Sequence, residues 1–293
     1  MRRLLLLALV AVSAAALGCR VERAAQPAPR AAGEVVSIYV PCGMILPFDA
    51  ASKKFEEENP GVDVKATYDN AGILVRKIVE KGERPDLFVS PGARELGVLE
   101  EKGLVKAGSK QALGSYEVVL LVYKGDKSGV RTWEDLRKDA MKTIATANPD
   151  ANSIGWYARQ GLQKMGIWKD IEPKLILTEH ASEAYAMVSQ GKVQAAFSYR
   201  TCPAESNPEK LDVQKVDIVA ELPRGLYDPA QVLIGQLKEG KSPQLAAKLS
   251  AFLMRPDIQA VLAENGLPNE RQSSSTGAGS EGKKPAAETQ GDR

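Results

Sequence analysis

The stretch "IYVPCGMILPFDAASKKF" (residues 38–55) joins two patterns that together decide the fold class. Its first residues, with the two valines before them, are typical of a buried β-strand, and the apolar residues of its second half recur at helical spacing. α/β sheets bind ligands where the carboxyl end of a strand meets the amino end of a helix. The unpaired N–H groups of that helix end favour anions. Cys42 and Met44 lie at this junction.

Working outward, strand-like and helical segments alternate over residues 35–268. We therefore predict an α/β fold in which helices cover both faces of layered sheets. We expect several helix amino ends to converge on one cleft that suits a small anion. The four junctions that supply these ends are residues 42–45, 69–72, 152–155 and 179–182.

The composition is that of a soluble protein, since 44% of the 293 residues are hydrophobic, 26% are charged and the net charge is +2. No basic stripe with interleaved aromatic residues is present, so we predict no nucleic-acid partner. An enzyme that uses Cys42 as a nucleophile and His180 as a base is one alternative. The sequence contains no nucleophile elbow, zinc-protease helix, phosphate loop or dinucleotide glycine pattern. We therefore predict that the protein is not an enzyme and has no cofactor.

The two ends of the chain lack the alternating pattern. Residues 1–19 have a basic start and a short apolar run, which is typical of an export signal, and "ALGC" resembles the bacterial lipobox with Cys19 as the lipidated residue. A plain signal peptide with an incidental cysteine is the alternative. Residues 20–34 are predicted to be a disordered tether and residues 269–293 a disordered tail. We expect an exported protein, lipid-anchored to a membrane and facing the periplasm or cell exterior.

Within this frame, several segments resemble the molybdate-binding proteins of bacterial ABC importers, which are type II periplasmic binding proteins. The similar segments are "FDAASKKFEEENPGVDV", "AGILVRKIVEKGERPDLFVSPG", "NPDANSIGWYARQGLQKMGIW" and "KLILTEHASEAYAMVSQGKVQAAFSY". The resemblance implies a two-lobe fold with the ligand cleft between the lobes. Residues 35–113 and 221–268 would form a discontinuous first lobe, and residues 114–220 the second. It also implies a monomer that carries a small inorganic ligand to an ABC permease in the membrane.

The resemblance further implies which residues hold a small oxyanion of the molybdate or tungstate class. Gly43 and Ala71 align with two serines of the family, so two hydroxyl donors are absent. Each lost hydrogen bond to a charged ligand costs about 1.5–3 kcal/mol. The implied ligand-binding residues are Cys42, Gly43, Asn70, Ala71, Ser153, Ile154, Ala181 and Tyr199.

The same alignment projects a second set of side chains onto the cleft, namely Cys42, Met44, His180 and Cys202. Thiolates and thioethers select soft metal ions, and thiols with imidazole suit zinc. The alternative function is therefore a soft metal ion or metalloid held by Cys42 and Cys202. Each residue also has a structural interpretation: Met44 fills the core, His180 bonds nearby backbone at a helix end, and the two cysteines form a disulfide or two buried thiols.

Overall fold

The computed structural model describes residues 33–200 and 215–268. The predicted signal segment with Cys19, the tail, Cys202 and most of the predicted tether lie outside the described residues. The first strand begins at Glu34, the last residue of that tether. Among the described residues, no helix has the length and apolar character needed to cross a bilayer.

The first sheet has five strands in the order β2-β1-β3-β10-β4. Strand β1 runs parallel to β2 and β3, whereas β10 runs antiparallel to β3 and β4. The strands are β1 (Glu34–Pro41), β2 (Val62–Asp69), β3 (Leu87–Ser90), β4 (Gln111–Ser115) and β10 (Gln231–Gln236).

The second sheet repeats this arrangement in the order β7-β6-β8-β5-β9. Strand β6 runs parallel to β7 and β8, and β5 runs antiparallel to β8 and β9. The strands are β5 (Val118–Tyr123), β6 (Ile144–Ala147), β7 (Leu175–Thr178), β8 (Ala195–Tyr199) and β9 (Val216–Glu221). The chain thus crosses from the first sheet to the second between β4 and β5, and returns between β9 and β10.

These strand ends bear on the expected lobe boundaries. The expected boundary between residues 113 and 114 falls inside β4, which pairs with β10 of the first sheet up to Ser115. The expected boundary between residues 220 and 221 falls inside β9, which pairs with β5 of the second sheet up to Glu221. The chain therefore changes sheets after Ser115 and after Glu221, and the lobe boundaries themselves stay a prediction.

Helices follow the parallel strands and connect them. The helices of eight or more residues are α1 (Ile45–Glu58), α2 (Ala71–Val79), α3 (Ala93–Glu101), α4 (Ser153–Lys164), α6 (Ala181–Ser189), α7 (Pro243–Leu253) and α8 (Pro256–Glu264). A single turn, α5 (Trp168–Ile171), follows α4, and a short 3₁₀ turn (Cys42–Met44) leads into α1. The helical spacing noted in residues 38–55 corresponds to α1, whereas no helical segment was identified at α3 or α5.

Local sequence signals account for several helix ends. Asn70 and Asn152 accept hydrogen bonds from the second N–H group of α2 and α4, as asparagine caps do. Gly166 has φ +73° after α4, a left-handed conformation that glycine adopts without strain. Pro256 opens α8, where its missing N–H is not needed. The capping asparagines fix where the two helices nearest the cleft begin.

Both sheets bury their apolar faces under helices. Phe55 of α1 packs edge-on against Phe252 of α7 with ring centroids 5.1 Å apart. The buried Asp86 ties this layer to β1, because its carboxylate accepts bonds from the N–H and Oγ of Ser37 at 2.7 and 2.6 Å. It also accepts one from the N–H of Ser242 at 2.5 Å, just before α7. Asp86 is thus a structural residue.

Candidate functional site

A small cavity lies between the two sheets, and residues from all four of the strand-to-helix junctions line it. Its volume is about 30 Å³, well below the roughly 300–1,000 Å³ of pockets for drug-sized ligands. None of its lining residues carries a charged side chain. The described residues that line it are Pro41, Cys42, Gly43, Asn70, Ala71, Pro91, Tyr116, Asn152, Ser153, Ala181 and Tyr199.

Three of the lining residues are the first residues of helices. Ala71 begins α2, Ser153 begins α4 and Ala181 begins α6. The N–H group of a first helical residue has no partner within its helix. The aligned peptide dipoles also give each helix amino end a partial positive charge of about half a unit. The cavity is therefore electropositive even though no cationic side chain lines it.

Two capping asparagines hold these helix ends together. Asn70 Oδ1 accepts from the N–H of Gly72 at 2.8 Å, and Asn152 Oδ1 accepts from the N–H of Ile154 at 3.1 Å. The amide nitrogens of both side chains donate to the carbonyl oxygen of Glu179, Asn70 at 3.0 Å and Asn152 at 3.3 Å. Glu179 follows β7 of the second sheet, whereas Asn70 follows β2 of the first. The bond from Asn70 therefore joins the two halves of the molecule.

The third helix end is held by a carboxylate. Glu183 Oε2 in the first turn of α6 accepts from the N–H groups of Glu179 and His180 at 3.1 and 3.2 Å. The peptide that carries the shared carbonyl is thus fixed on its other side as well. This leaves Ala181, the next residue, at the wall of the cavity.

Hydroxyl groups form the remaining polar surface. Tyr199 Oη donates to Ser153 Oγ at 2.8 Å, and both side chains are buried. The Tyr199 ring stacks on Tyr116 with centroids 4.0 Å apart, and Tyr116 Oη donates to the carbonyl oxygen of Gly43 at 3.1 Å. Since Ser153 Oγ accepts the bond from Tyr199, its own hydrogen is available to a ligand.

Close contacts join the two halves around the cavity. A methyl group on Gly92, which follows β3, would lie 1.8 Å from Tyr157 Oη on α4, and one on Gly72 would lie 3.1 Å from the carbonyl oxygen of Ala151. Tyr157 Oη donates to the carbonyl oxygen of Pro91 at 3.4 Å. A side chain at position 92 would therefore force the Tyr157 hydroxyl to move, whereas one at position 72 would require the Ala151 carbonyl to move by only a few tenths of an ångström.

An arginine-tryptophan cluster closes one side of the same interface. Arg94 of α3 donates to the carbonyl oxygen of Asp150 at 2.8 Å, and its guanidinium lies 5.0 Å from the ring centroid of Trp156. Arg159 of α4 lies 5.3 Å from the same centroid. The Trp156 ring thus contacts a cation from each half of the molecule.

Two titratable groups are buried nearby. Burial raises the pKa of the Glu95 carboxyl, and only its own backbone N–H and Arg94 act in the opposite direction. Its Oε2 has no hydrogen-bond partner within the described part of the chain. Burial also raises the pKa of Tyr157, and the carboxylates of Glu95 and Asp228 add to the effect. The neutral form of both side chains is favoured.

Of the residues implied for oxyanion binding, the cavity brings together Cys42, Gly43, Asn70, Ala71, Ser153, Ala181 and Tyr199. Ile154 is the exception: it is fully buried, and its N–H group is donated to Asn152. Sequence analysis placed Asn152 at a converging helix end but did not name it as a site residue, nor did it name Tyr116, Pro41 or Pro91. An asparagine directly before a helical segment is a capping signal, so Asn152 could have been identified from the sequence.

Of the four residues predicted to hold a soft metal ion, namely Cys42, Met44, His180 and Cys202, the three that the structure describes are not brought together at the cavity. Met44 is fully buried in the hydrophobic core, and His180 does not line the cavity. Only Cys42 of this set lines the cavity, and Cys202 lies outside the described residues. Within residues 33–200 and 215–268, no cluster of three or more His, Cys, Asp or Glu residues could hold a metal ion.

Comparisons with known proteins agree with this geometry. The model of the family described as bacterial extracellular solute-binding proteins matches residues 36–267. YvgL of Bacillus subtilis (strain 168), named provisionally as an ABC transporter substrate-binding lipoprotein, is 25% identical over 219 residues, which is 74% of this chain and 80% of YvgL. The molybdate-binding protein ModA of Escherichia coli (strain K12) is 24% identical over 182 residues, 60% of this chain and 69% of ModA. Among solved structures, the periplasmic molybdate-binding protein of Azotobacter vinelandii matches with a TM-score of 0.67 and 15% identity, covering 79% of this chain and 98% of that one.

Proposed function

We propose that this chain, which belongs to the bacterial extracellular solute-binding protein family, binds a small oxyanion of the molybdate or tungstate class between its two lobes. The fold is that of the type II periplasmic binding proteins, so the resemblance found in the sequence is confirmed. In the proposed function the protein passes the anion to the membrane permease of an ABC importer, as the names of its relatives suggest.

The convergence of three helix amino ends on one small cavity is the observation that carries the proposal. The N–H groups of Ala71, Ser153 and Ala181 supply partial positive charge from both halves of the molecule. Neutral donors need no counter-ion, so the residues of the site bury no uncompensated charge. The small volume suits a compact inorganic ion better than a sugar or an amino acid.

Isothermal titration calorimetry with sodium molybdate, tungstate and sulfate tests the proposal. We expect molybdate and tungstate to bind in a 1:1 ratio and to raise the melting temperature, because a ligand that binds only the folded state stabilises it. Sodium chloride at the same ionic strength is the control for nonspecific effects of salt. Absence of binding by all three oxyanions would refute the oxyanion function.

A soft metal ion or metalloid is the second candidate, and the position of Cys42 at the cavity wall favours it. In this case Cys202 would supply the second thiol. A double variant, Cys42→Ser with Cys202→Ser, separates the two candidates. We expect it to bind molybdate and to lose any affinity for Cu(I) or arsenite; unchanged affinity for these soft ligands would exclude the thiol site.

We further propose the cellular setting and domain boundaries of the protein. Cys19 would carry lipid and hold the mature protein at the membrane, facing the periplasm or cell exterior, as a monomer. Cys19→Ser should release the protein into the soluble fraction of cells labelled with an alkyne fatty acid. Retention of the Cys19→Ser variant in the membrane fraction would contradict the anchor.

We also propose that the two lobes are joined between β4 and β5 and between β9 and β10, where the chain changes sheets.

A further inference from the structure

The shared carbonyl of Glu179 is the only acceptor to which the side chains of both capping asparagines donate among the described residues. Asn152 and Glu179 both belong to the half built on the second sheet, so their bond exists whether or not the halves touch. Asn70 belongs to the half built on the first sheet, so its bond exists only when the halves are together. The two asparagines have the same local role and differ in this one respect.

We propose that Asn70 is a latch that stabilises the closed arrangement of the two lobes through its bond to the Glu179 carbonyl. The inference rests on the proposed function, in which closure retains the anion. Asn70 is then a positioning residue rather than a direct ligand. Its Oδ1 is occupied by the N–H of Gly72 and its amide nitrogen by the Glu179 carbonyl.

The latch is coupled to the cavity on both sides. Asn70 immediately precedes Ala71, whose N–H group begins α2, and Glu179 lies two residues before Ala181, whose N–H group begins α6. Closing this bond therefore brings two helix amino ends from different lobes to opposite walls of one cavity. Beside it, the close approach of Gly72 to the Ala151 carbonyl leaves little room for a longer linkage. The bond sets the spacing of the donors.

Asn70→Ser tests the latch because serine also caps helices well but lacks an amide group to reach across the cleft. The loss of one net hydrogen bond predicts about three- to tenfold weaker binding of molybdate. We expect this loss of affinity to come from faster dissociation, because the latch acts after the lobes close. The association rate should stay within about twofold of the wild-type rate. Asn70→Asp keeps the cap and the shape but sets a carboxylate oxygen against the Glu179 carbonyl, so its effect should be larger.

Two controls separate the latch from a general structural effect. Asn152→Ser removes the equivalent bond within one lobe, and it should change dissociation less than Asn70→Ser does. Asn59→Ser, at the far end of α1, removes a bond to the Phe55 carbonyl of 2.6 Å and should leave binding unchanged. Equal dissociation rates for Asn70→Ser and the wild type, or equal losses in Asn70→Ser and Asn152→Ser, would overturn the latch.

A measurement without ligand distinguishes failure of the latch from failure of the proposed function. Dyes on p-azidophenylalanine at the exposed positions Lys54 and Lys169, one in each lobe, report the closed fraction by single-molecule energy transfer. We expect Asn70→Ser to lower the ratio of closed to open molecules about three- to tenfold. If the wild type binds none of the oxyanions but shows this difference, the function fails and the latch stands. Equal closed fractions would overturn the latch, whichever anion binds.

Discussion

Replacement of Ser153 by alanine tests the proposed site most directly. Ser153 is the first residue of α4, and its buried Oγ accepts the hydrogen of Tyr199 Oη at 2.8 Å. That bond directs the Ser153 hydrogen away from Tyr199 and leaves it for a bound anion. Tyr199 itself has one hydroxyl hydrogen, and it is already donated. In the proposed site Ser153 is therefore the donor, and Tyr199 orients it.

The magnitude follows from the charge of the ligand. A hydrogen bond to a charged group contributes about 1.5–3 kcal/mol, so Ser153→Ala should weaken molybdate binding by about 10- to 150-fold. Tyr199→Phe removes a neutral bond worth about 0.5–1.5 kcal/mol and should weaken binding by about two- to twelvefold. Because Tyr199 acts through Ser153, the tyrosine substitution should have almost no further effect in the alanine variant.

Calorimetric titration of the wild type, both single variants and the double variant forms a complete double-mutant cycle. Ser189→Ala is the matched control, since its buried Oγ donates only to the Ala186 carbonyl of its own helix, at 3.1 Å. We expect this control to bind as the wild type does. The reasoning is refuted if Ser153→Ala binds the anion as tightly as Ser189→Ala, or if the effects of the two site substitutions simply add.

Three further predictions concern closure, pH and stability. Gly92→Ala should weaken anion binding at least tenfold in calorimetry, because its methyl group would lie 1.8 Å from Tyr157 Oη. Adding Tyr157→Phe should restore most of the affinity, since the next nearest atom of that side chain is 3.1 Å away. A double variant that binds no better than Gly92→Ala would contradict a steric cause. Burial raises the pKa of Glu95 above its ordinary 4.5, so the stability that its protonated form provides at low pH is lost as pH rises above that value. In thermal melts, the melting temperature of Glu95→Gln should therefore rise relative to that of the wild type as pH increases above 4.5, and a difference that does not change with pH would argue against a buried acid. Asp86→Ala leaves three donors without their acceptor, so urea unfolding should show a loss of about 3 kcal/mol or more with anion affinity unchanged; a loss below about 1 kcal/mol would show that other groups satisfy them.

Much of the fold could be predicted because its signals are local. A run of alternating or continuous apolar residues marks a strand whatever its neighbours are, and the asparagine and glycine signals at α2 and α4 act within a few residues. Helix α3 was missed for the opposite reason. Its sequence, "ARELGVLEE", has few apolar residues, and it buries a glutamate at Glu95 that a sequence pattern assigns to the surface. That burial depends on tertiary packing, which the sequence of the helix alone does not show.

The cavity lies within a residue or two of each predicted strand-to-helix junction, and the binding role of its residues stays a prediction. Of the two residues predicted at the start of α4, Ser153 lines the cavity and Ile154 does not, and the N–H group of Ile154 donates to the Asn152 side chain. Met44 directly follows three consecutive cavity residues in the sequence, but the 3₁₀ turn directs it into the core. Which of these residues line the cavity depends on which N–H group each capping side chain accepts from and on the orientation of the 3₁₀ turn. Neither can be predicted from the spacing of residue types.

The two serines missing from the family pattern bear less heavily on the proposed site than the alignment suggested. Ala71 stands in place of one of them, but its backbone N–H at the start of α2 does not depend on its side chain. At the position of the other serine, the carbonyl oxygen of Gly43 accepts a hydrogen bond from Tyr116 Oη. The Tyr116 ring stacks on Tyr199, which in turn positions Ser153. The lost side-chain donors thus leave the helix ends in place and concentrate hydroxyl donation on Ser153. A site built in this way depends on the approach of its helix ends, and therefore on lobe closure, more than on the identity of its lining side chains.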